Sequence, residues 1–158
     1  MRVFISGVMQ GSLNGKGVED QNYRRQITDI LRAWRPDVEV IDPWAIWPDA
    51  VHYDMDKAKA TLFEETALAA QADVLIAYLP IASMGSALEM WNAHQAGVPV
   101  YAITALRHNW TVQALSTRTF HSLEEFAAFV QAGGLLVRRK LSASPPVRPT
   151  AIGDTKSA

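Results

Sequence analysis

An α/β sandwich built on a parallel sheet of about five strands is the fold this sequence predicts, and two observations carry that prediction. Short apolar, β-branched runs alternate along the chain with segments of helical period, the pattern of successive βα units. One of those runs, at 74–79 (Val-Leu-Ile-Ala-Tyr-Leu), is apolar throughout, as a strand covered on both faces should be. Helices on both faces of the sheet make three layers.

The elements follow in order. Val3-Phe4-Ile5 reads as a buried first strand. A glycine-rich loop, 7–17, leads toward a helix at about 20–34. Tyr23, Ile27, Ile30, Leu31 and Trp34 recur there at helical spacing, and Pro36 stops the helix. Val38 to Ile41 is the second strand. The connection 42–54 is long and holds Pro43, Trp44, Trp47 and Pro48; a long loop with such content suggests function. A helix at about 56–71 turns Ala58, Leu62 and Ala69 inward. The third strand, 74–79, ends in a small-residue turn that opens a helix at 85–95, closed by Gly97. A fourth strand at 98–103, a helical stretch near 111–115, an extended piece at Thr119-Phe120 and a helix at 122–131 complete the core. Ser122 and Glu125 form a capping-box pattern at the start of that last helix. The architecture is a single-domain Rossmann-like or flavodoxin-like three-layer sandwich. Residues 1–133 form the domain, and 134–158, basic and rich in proline, are expected to be a disordered tail.

Composition narrows the function. A net charge of −1 offers no general attraction to a nucleic acid polymer. Cysteine is absent, which removes thiolate chemistry and disulfides and fits a reducing cytoplasm. The N-terminal apolar run is too short for a signal peptide, and no stretch reaches the ~20 apolar residues of a membrane span. The four histidines, His52, His94, His108 and His121, lack metal-ligand spacing, so neither a metal nor a cofactor is expected. Gly11 to Lys16 is one residue short of a P-loop and lacks the following Ser or Thr. Gly-x-Ser-x-Gly is also absent.

The most informative stretch is Ser83-Met84-Gly85-Ser86-Ala87-Leu88-Glu89. A buried strand ends, a turn of small residues follows, and a helix begins with unpartnered N–H groups that favour anions. Glu89 stands about one turn in. Its nearness to the helix start predicts a carboxylate kept ionised, as a nucleophile needs. In parallel sheets ligands bind beyond the carboxyl ends of the strands. That places the exit of strand one (Ser6, Gly7 and Gly11), Trp44, the Ser83–Glu89 turn and Asn109 around one cleft. Trp44 and Trp47 are candidates to stack on a base, or simply to pack their loop. Glu65, eight residues before Asp73, is a second candidate carboxylate whose reach depends on the connection before its helix.

The order of these features resembles the nucleoside 2-deoxyribosyltransferase superfamily, which includes 2′-deoxynucleoside 5′-phosphate N-hydrolases. The resemblance spans residues 3–129 and rests on Ala72-Asp73-Val74 and on Ser83 to Glu89. It implies that Glu89 is the nucleophile that attacks the anomeric carbon. Glu65 falls where the family usually has an aspartate. Ser83 falls where transferases acting on free nucleosides carry an aspartate and the 5′-phosphate hydrolases a serine. Ser83-x-Gly85 matches the latter's phosphate-binding turn, whereas Met9 or Gln10 stands where those hydrolases have an arginine, with Lys16 a possible substitute.

The chemistry implied is cleavage of an N-glycosidic bond through a glycosyl-glutamate, with transfer to another base or to water. The implied partners are a small-molecule nucleoside or nucleotide and, since the region of Asn109 often reaches a neighbouring subunit in this family, a homodimer or larger homo-oligomer. Three other readings stay open: a phosphoribohydrolase of the cytokinin-activating type, whose Pro-Gly-Gly-x-Gly-Thr-x-x-Glu is absent, a non-catalytic nucleotide-sensing module, and a flavodoxin-like protein that binds a partner.

Overall fold

The computed structural model describes residues 1–10 and 17–137. The expected glycine-rich cradle at Gly11, the role offered to Lys16 and most of the expected tail lie outside the described residues.

Five strands form one sheet in the order β2-β1-β3-β4-β5, and every pairing is parallel. They are β1 (Arg2–Gly7), β2 (Glu39–Ile41), β3 (Val74–Leu79), β4 (Val100–Thr104) and β5 (Arg118–Phe120). The helices are α1 (Asn22–Trp34), α2 (Pro43–Ile46), α3 (Met55–Gln71), α4 (Met84–Gln95), α5 (Trp110–Leu115) and α6 (Leu123–Gln131).

Alternation along the strands divides the core in two. Phe4, Leu75, Ala77 and Ala102 face α3, α4 and α5, where they meet Ala69, Met90, Ala93 and Val112. Val3, Ile5, Val74, Ile76 and Tyr101 face α1 and α6, where they meet Ile27, Leu31, Phe126 and Val130. The same alternation turns Ser6, two residues beyond Phe4, toward the α3–α4 side.

Local chemistry sets the boundaries. Helix α1 begins at Asn22 because the Asp20 carboxylate accepts from the Asn22 amide at 3.2 Å and from its side chain at 2.7 Å, holding an Asx turn ahead of the first helical turn. Ser83, Asn109 and Ser122 cap α4, α5 and α6, accepting from the amides of Ser86, Val112 and Glu125. Gly97, at φ +71°, adopts the left-handed conformation that closes α4.

Two expectations change. The 42–54 connection is not an open loop: Asp42 caps α2 and a 3-10 turn follows at Ala50–His52. On α3 the inward face is Thr61, Glu65 and Ala69, while Leu62 is 36% exposed. A four-residue period from Ala69 passes through two polar residues, and those face a cavity rather than the core. At the other end of the domain the packed chain runs past residue 133. Leu135 is buried, and the Leu136 amide donates to the Tyr101 hydroxyl at 2.8 Å.

Candidate active site

A sheet ordered 2-1-3-4-5 reverses its winding between β1 and β3, and a crevice opens there beyond the strand ends. In this protein that crevice is a cavity of about 660 Å³. Its floor is made by Gly7 at the end of β1 and Leu79 at the end of β3. Glu65 of α3 and Glu89 of α4 both reach its wall. The two carboxylates come together because α3 and α4 lie side by side on one face of the sheet, Glu65 on the inward stripe of α3 and Glu89 on that of α4.

Both are buried, at 6% and 4% exposure. The Ser6 hydroxyl, itself fully buried, donates to Oε2 of Glu89 at 2.5 Å. Burial pushes the Glu89 carboxyl from the ordinary 4.5 up to about 8; the Ser6 bond opposes this, the Glu65 charge adds to it and Arg24 opposes it. Burial likewise raises Glu65 to about 7, against the pull of Arg24. Desolvation thus runs against the expectation that the helix start keeps Glu89 ionised. Glu89 is the sixth residue of α4, and the dipole's influence fades within the first turn, so desolvation wins.

The N-terminus of α4 continues the wall that Glu89 occupies. Ser83, Gly85 and Ser86 all line the cavity. The Ser86 amide is spent on the Ser83 cap at 3.3 Å, and among the described residues the Met84 and Gly85 amides of the first turn have no partner. Ser86 Oγ is buried with no hydrogen-bond partner among the described residues. A buried hydroxyl in that state lacks the partner such groups ordinarily have. No Lys, Arg or His lines the cavity among the described residues, and Met9 and Gln10 reach it without supplying charge.

The other candidates divide. Gly7 lines the cavity, and a Cβ there would overlap the Tyr23 ring and hydroxyl, so only glycine allows the loop to lie flat on that ring. Asn109 lines it too; its Oδ1 caps α5, accepting from the Val112 amide at 3.1 Å, and its NH₂ group remains for a ligand. Ser6 does not line it but stands behind Glu89. Trp44 does not line it either: it is held in α2, where its amide donates to Asp42 at 3.1 Å, and the same connection presents Ala50, Val51 and Tyr53 instead. Sequence reasoning missed Tyr53, whose ring carries the Lys57 ammonium 3.7 Å from its centroid.

It also missed Arg24, 3% exposed on α1. The available signal was its place in the stripe Arg24, Ile27, Leu31, a charged residue at a core position. Tyr23 beside it stacks on Tyr78 with centroids 4.3 Å apart, and burial drives its hydroxyl well above the ordinary range.

Among the described residues no group of three or more His, Asp or Glu could hold a metal ion, and no helix is long and apolar enough to cross a membrane. No protein-family model matches this sequence, and no curated protein sequence matches it either. Solved structures do. A 2-deoxyribosyltransferase from Bacillus psychrosaccharolyticus superposes with a TM-score of 0.63 at 11% identity, covering 89% of this chain and 100% of that one. A conserved protein from Enterococcus faecalis V583 gives 0.59 at 18% identity, covering 84% and 98%. The Clostridium botulinum CMP N-glycosidase BcmB gives 0.50 at 16%, covering 84% and 99%. At these identities what is shared is the fold.

Proposed function

Starting from that shared fold, we propose that this protein cleaves the N-glycosidic bond of a nucleoside or its 5′-monophosphate. The observation that carries the proposal is the pair of buried carboxyls, Glu65 and Glu89, on one cavity at the switch point of the sheet. The chemistry needs a nucleophile at the anomeric carbon and an acid for the leaving base. Glu89 forms an ester to C1′ as the C1′–N bond breaks. The base leaves with the proton held by Glu65, whose pKa near 7 keeps an acid available at neutral pH. Water, or a second base, then attacks C1′ and releases Glu89.

Nucleophilic attack requires the anion, whereas burial favours the protonated form of Glu89. Two features favour the anion during reaction. Ser6 donates to Glu89, and the positive charge that develops on the sugar lies against it. The names of two proteins of this fold, a 2-deoxyribosyltransferase and a CMP N-glycosidase, support glycosyl transfer or cleavage as the reaction class.

The start of α4 suits the 5′ end of the sugar. The Met84 and Gly85 amides, the Ser83 hydroxyl and the unpartnered Ser86 hydroxyl form a seat for oxygen atoms. A serine at 83 admits a phosphate that a carboxylate would repel. Monophosphates should bind more tightly than nucleosides, and Ser83→Asp should reverse the order by about tenfold or more. Equal affinities in the unaltered protein, measured by calorimetry, would remove the phosphate from this reading.

An assembly of identical chains also fits. Leu88 and Trp91 on α4 and Phe63 on α3 are exposed, and Trp110 beside Asn109 is 89% exposed. Sedimentation would report the assembly directly. The function is tested by incubating the protein with ribo- and deoxyribonucleosides and their monophosphates, with and without a free base, and following base release or exchange. Binding without cleavage anywhere in that panel would replace the enzyme with a nucleotide-binding module.

A further inference from the structure

Arg24 lies outside the cavity, yet its bonds run to the segments that build it. Nη1 donates to the Ile5 carbonyl at 3.1 Å and to Asp42 Oδ1 at 2.8 Å. Nε donates to Gln21 Oε1 at 2.7 Å. Gln21 in turn donates to the Val8 carbonyl at 2.9 Å and the Glu19 carbonyl at 2.8 Å. The first turn of α1 thus grips the exit of β1 on both sides of Ser6 and Gly7. Ser6 is the residue that donates to Glu89. Asp42, the other end of the ion pair, caps α2 and opens the connection that brings Val51 and Tyr53 to the cavity wall.

A guanidinium this deeply buried costs free energy unless its surroundings use its charge. Asp42 neutralises part of it, at 18% side-chain exposure. The Arg24 charge also favours the ionised forms of Glu65, Glu89 and the Tyr23 hydroxyl, against their burial. Among the described residues, the charged and titratable groups around the glutamate pair include Arg24 and Tyr23 from α1, Asp42 after β2, Tyr53 on the cavity wall, and each glutamate from α3 or α4.

We propose that Arg24 is a positioning residue for the Glu65–Glu89 pair. It fixes the β1 exit that aims Ser6 at Glu89, ties it to the β2 exit, and places a buried positive charge behind that exit. The inference rests on the reading of Glu65 and Glu89 as the working pair, but it is testable without turnover.

The test is a carboxyl titration of protein labelled with ¹³C at the glutamate side chains, with Glu65 and Glu89 assigned through Glu65→Gln and Glu89→Gln. Arg24→Met should raise both midpoints by about one pH unit. Asp42→Asn, which keeps an α2 cap but frees Arg24 from its counter-charge, should lower both. Arg24→Lys should return them toward the unaltered values. Opposite shifts in the two variants are the signature of the charge; a merely structural residue would not produce them. Midpoints that stay put in a folded Arg24→Met protein, or that move the same way in both variants, overturn the proposal. If Arg24→Met does not fold, Asp42→Asn decides alone, and unmoved or raised midpoints overturn it.

Turnover supplies a separate reading. Arg24→Met should lower kcat by about tenfold, with the pH profile displaced upward and KM within about twofold, since Arg24 does not line the cavity. Absence of cleavage by the unaltered protein would defeat the glycosidic reading while leaving the titration result standing on its own.

Discussion

At the β4–β5 edge of the sheet, Tyr101, Phe120 and Phe126 are all at most 1% exposed and pack ring against ring. Around the carboxyl ends of β1 and β3, burial is nearly as deep, but the side chains are Ser6, Arg24, Glu65 and Glu89. The first region gains free energy from every group it removes from water. The second desolvates charges, a cost that no fold needs to meet for stability alone. The contrast marks the second region as a place where, among the described residues, burial works against stability.

The sharpest way to break the comparison is to exchange the roles of the two regions by mutation. Glu89→Ala should reduce glycosidic cleavage by at least about 10³-fold while the protein stays folded by circular dichroism. Near-normal turnover in a folded variant would remove Glu89 from the chemistry. Phe126→Ala should do the reverse. It should cost about 3–5 kcal/mol in denaturant unfolding, with kcat unchanged at temperatures where the variant is folded.

Gly7→Ala probes the seam between the regions. Its Cβ would meet the Tyr23 ring, itself stacked on Tyr78, so a shift of the ring or the loop is unavoidable. A loss of about 1–3 kcal/mol is expected. The change should also appear as a shift in Tyr23 ring resonances, and unchanged resonances would contradict the close approach.

The remaining effect concerns pH. Glu65 and Glu89 have folded pKa values near 7 and 8 against an ordinary 4.5. Between those values the folded state holds more protons than the unfolded state, so their contribution to stability falls as pH rises. It is fullest below about pH 4.5 and is lost as pH climbs through 7 and 8. The melting temperature should therefore drop from pH 5 to pH 8.5 more in the unaltered protein than in Glu65→Gln/Glu89→Gln. Equal slopes would mean that the two carboxyls are not perturbed.

The aromatic and aliphatic half of this contrast was readable in the sequence. The apolar run 74–79 is β3 residue for residue, and Ser122 caps α6 as its spacing to Glu125 suggested. The polar half was readable only where a residue sits in a local motif. Ser83, Gly85 and Glu89 belong to one strand–turn–helix junction, so their convergence follows from topology.

Ser6, Arg24 and Asp42 are far apart in the chain and meet only through tertiary packing. Nothing local distinguishes a buried arginine on α1 from Arg25 beside it, except its position in the apolar stripe. Trp44 misled for a related reason. Its aromatic bulk suggested a ligand platform, but the Asp42 cap winds the chain into α2 and carries the ring away from the cavity wall. Counting residues from the helix start could not reveal the desolvation of Glu89, which depends on how much water the fold removes.

The most direct test of the central claim, that Glu89 is a nucleophile at the anomeric carbon, is covalent trapping. The protein would be incubated with 2′-deoxy-2′-fluoroarabinosyl nucleosides and their 5′-monophosphates, whose fluorine slows release of a glycosyl-enzyme. Intact mass and peptide mapping would follow. The account predicts release of the base together with a single sugar adduct on the peptide carrying Glu89, absent from Glu89→Ala. An adduct on any other residue, or base release with no adduct at Glu89 on any timescale resolved, would contradict it.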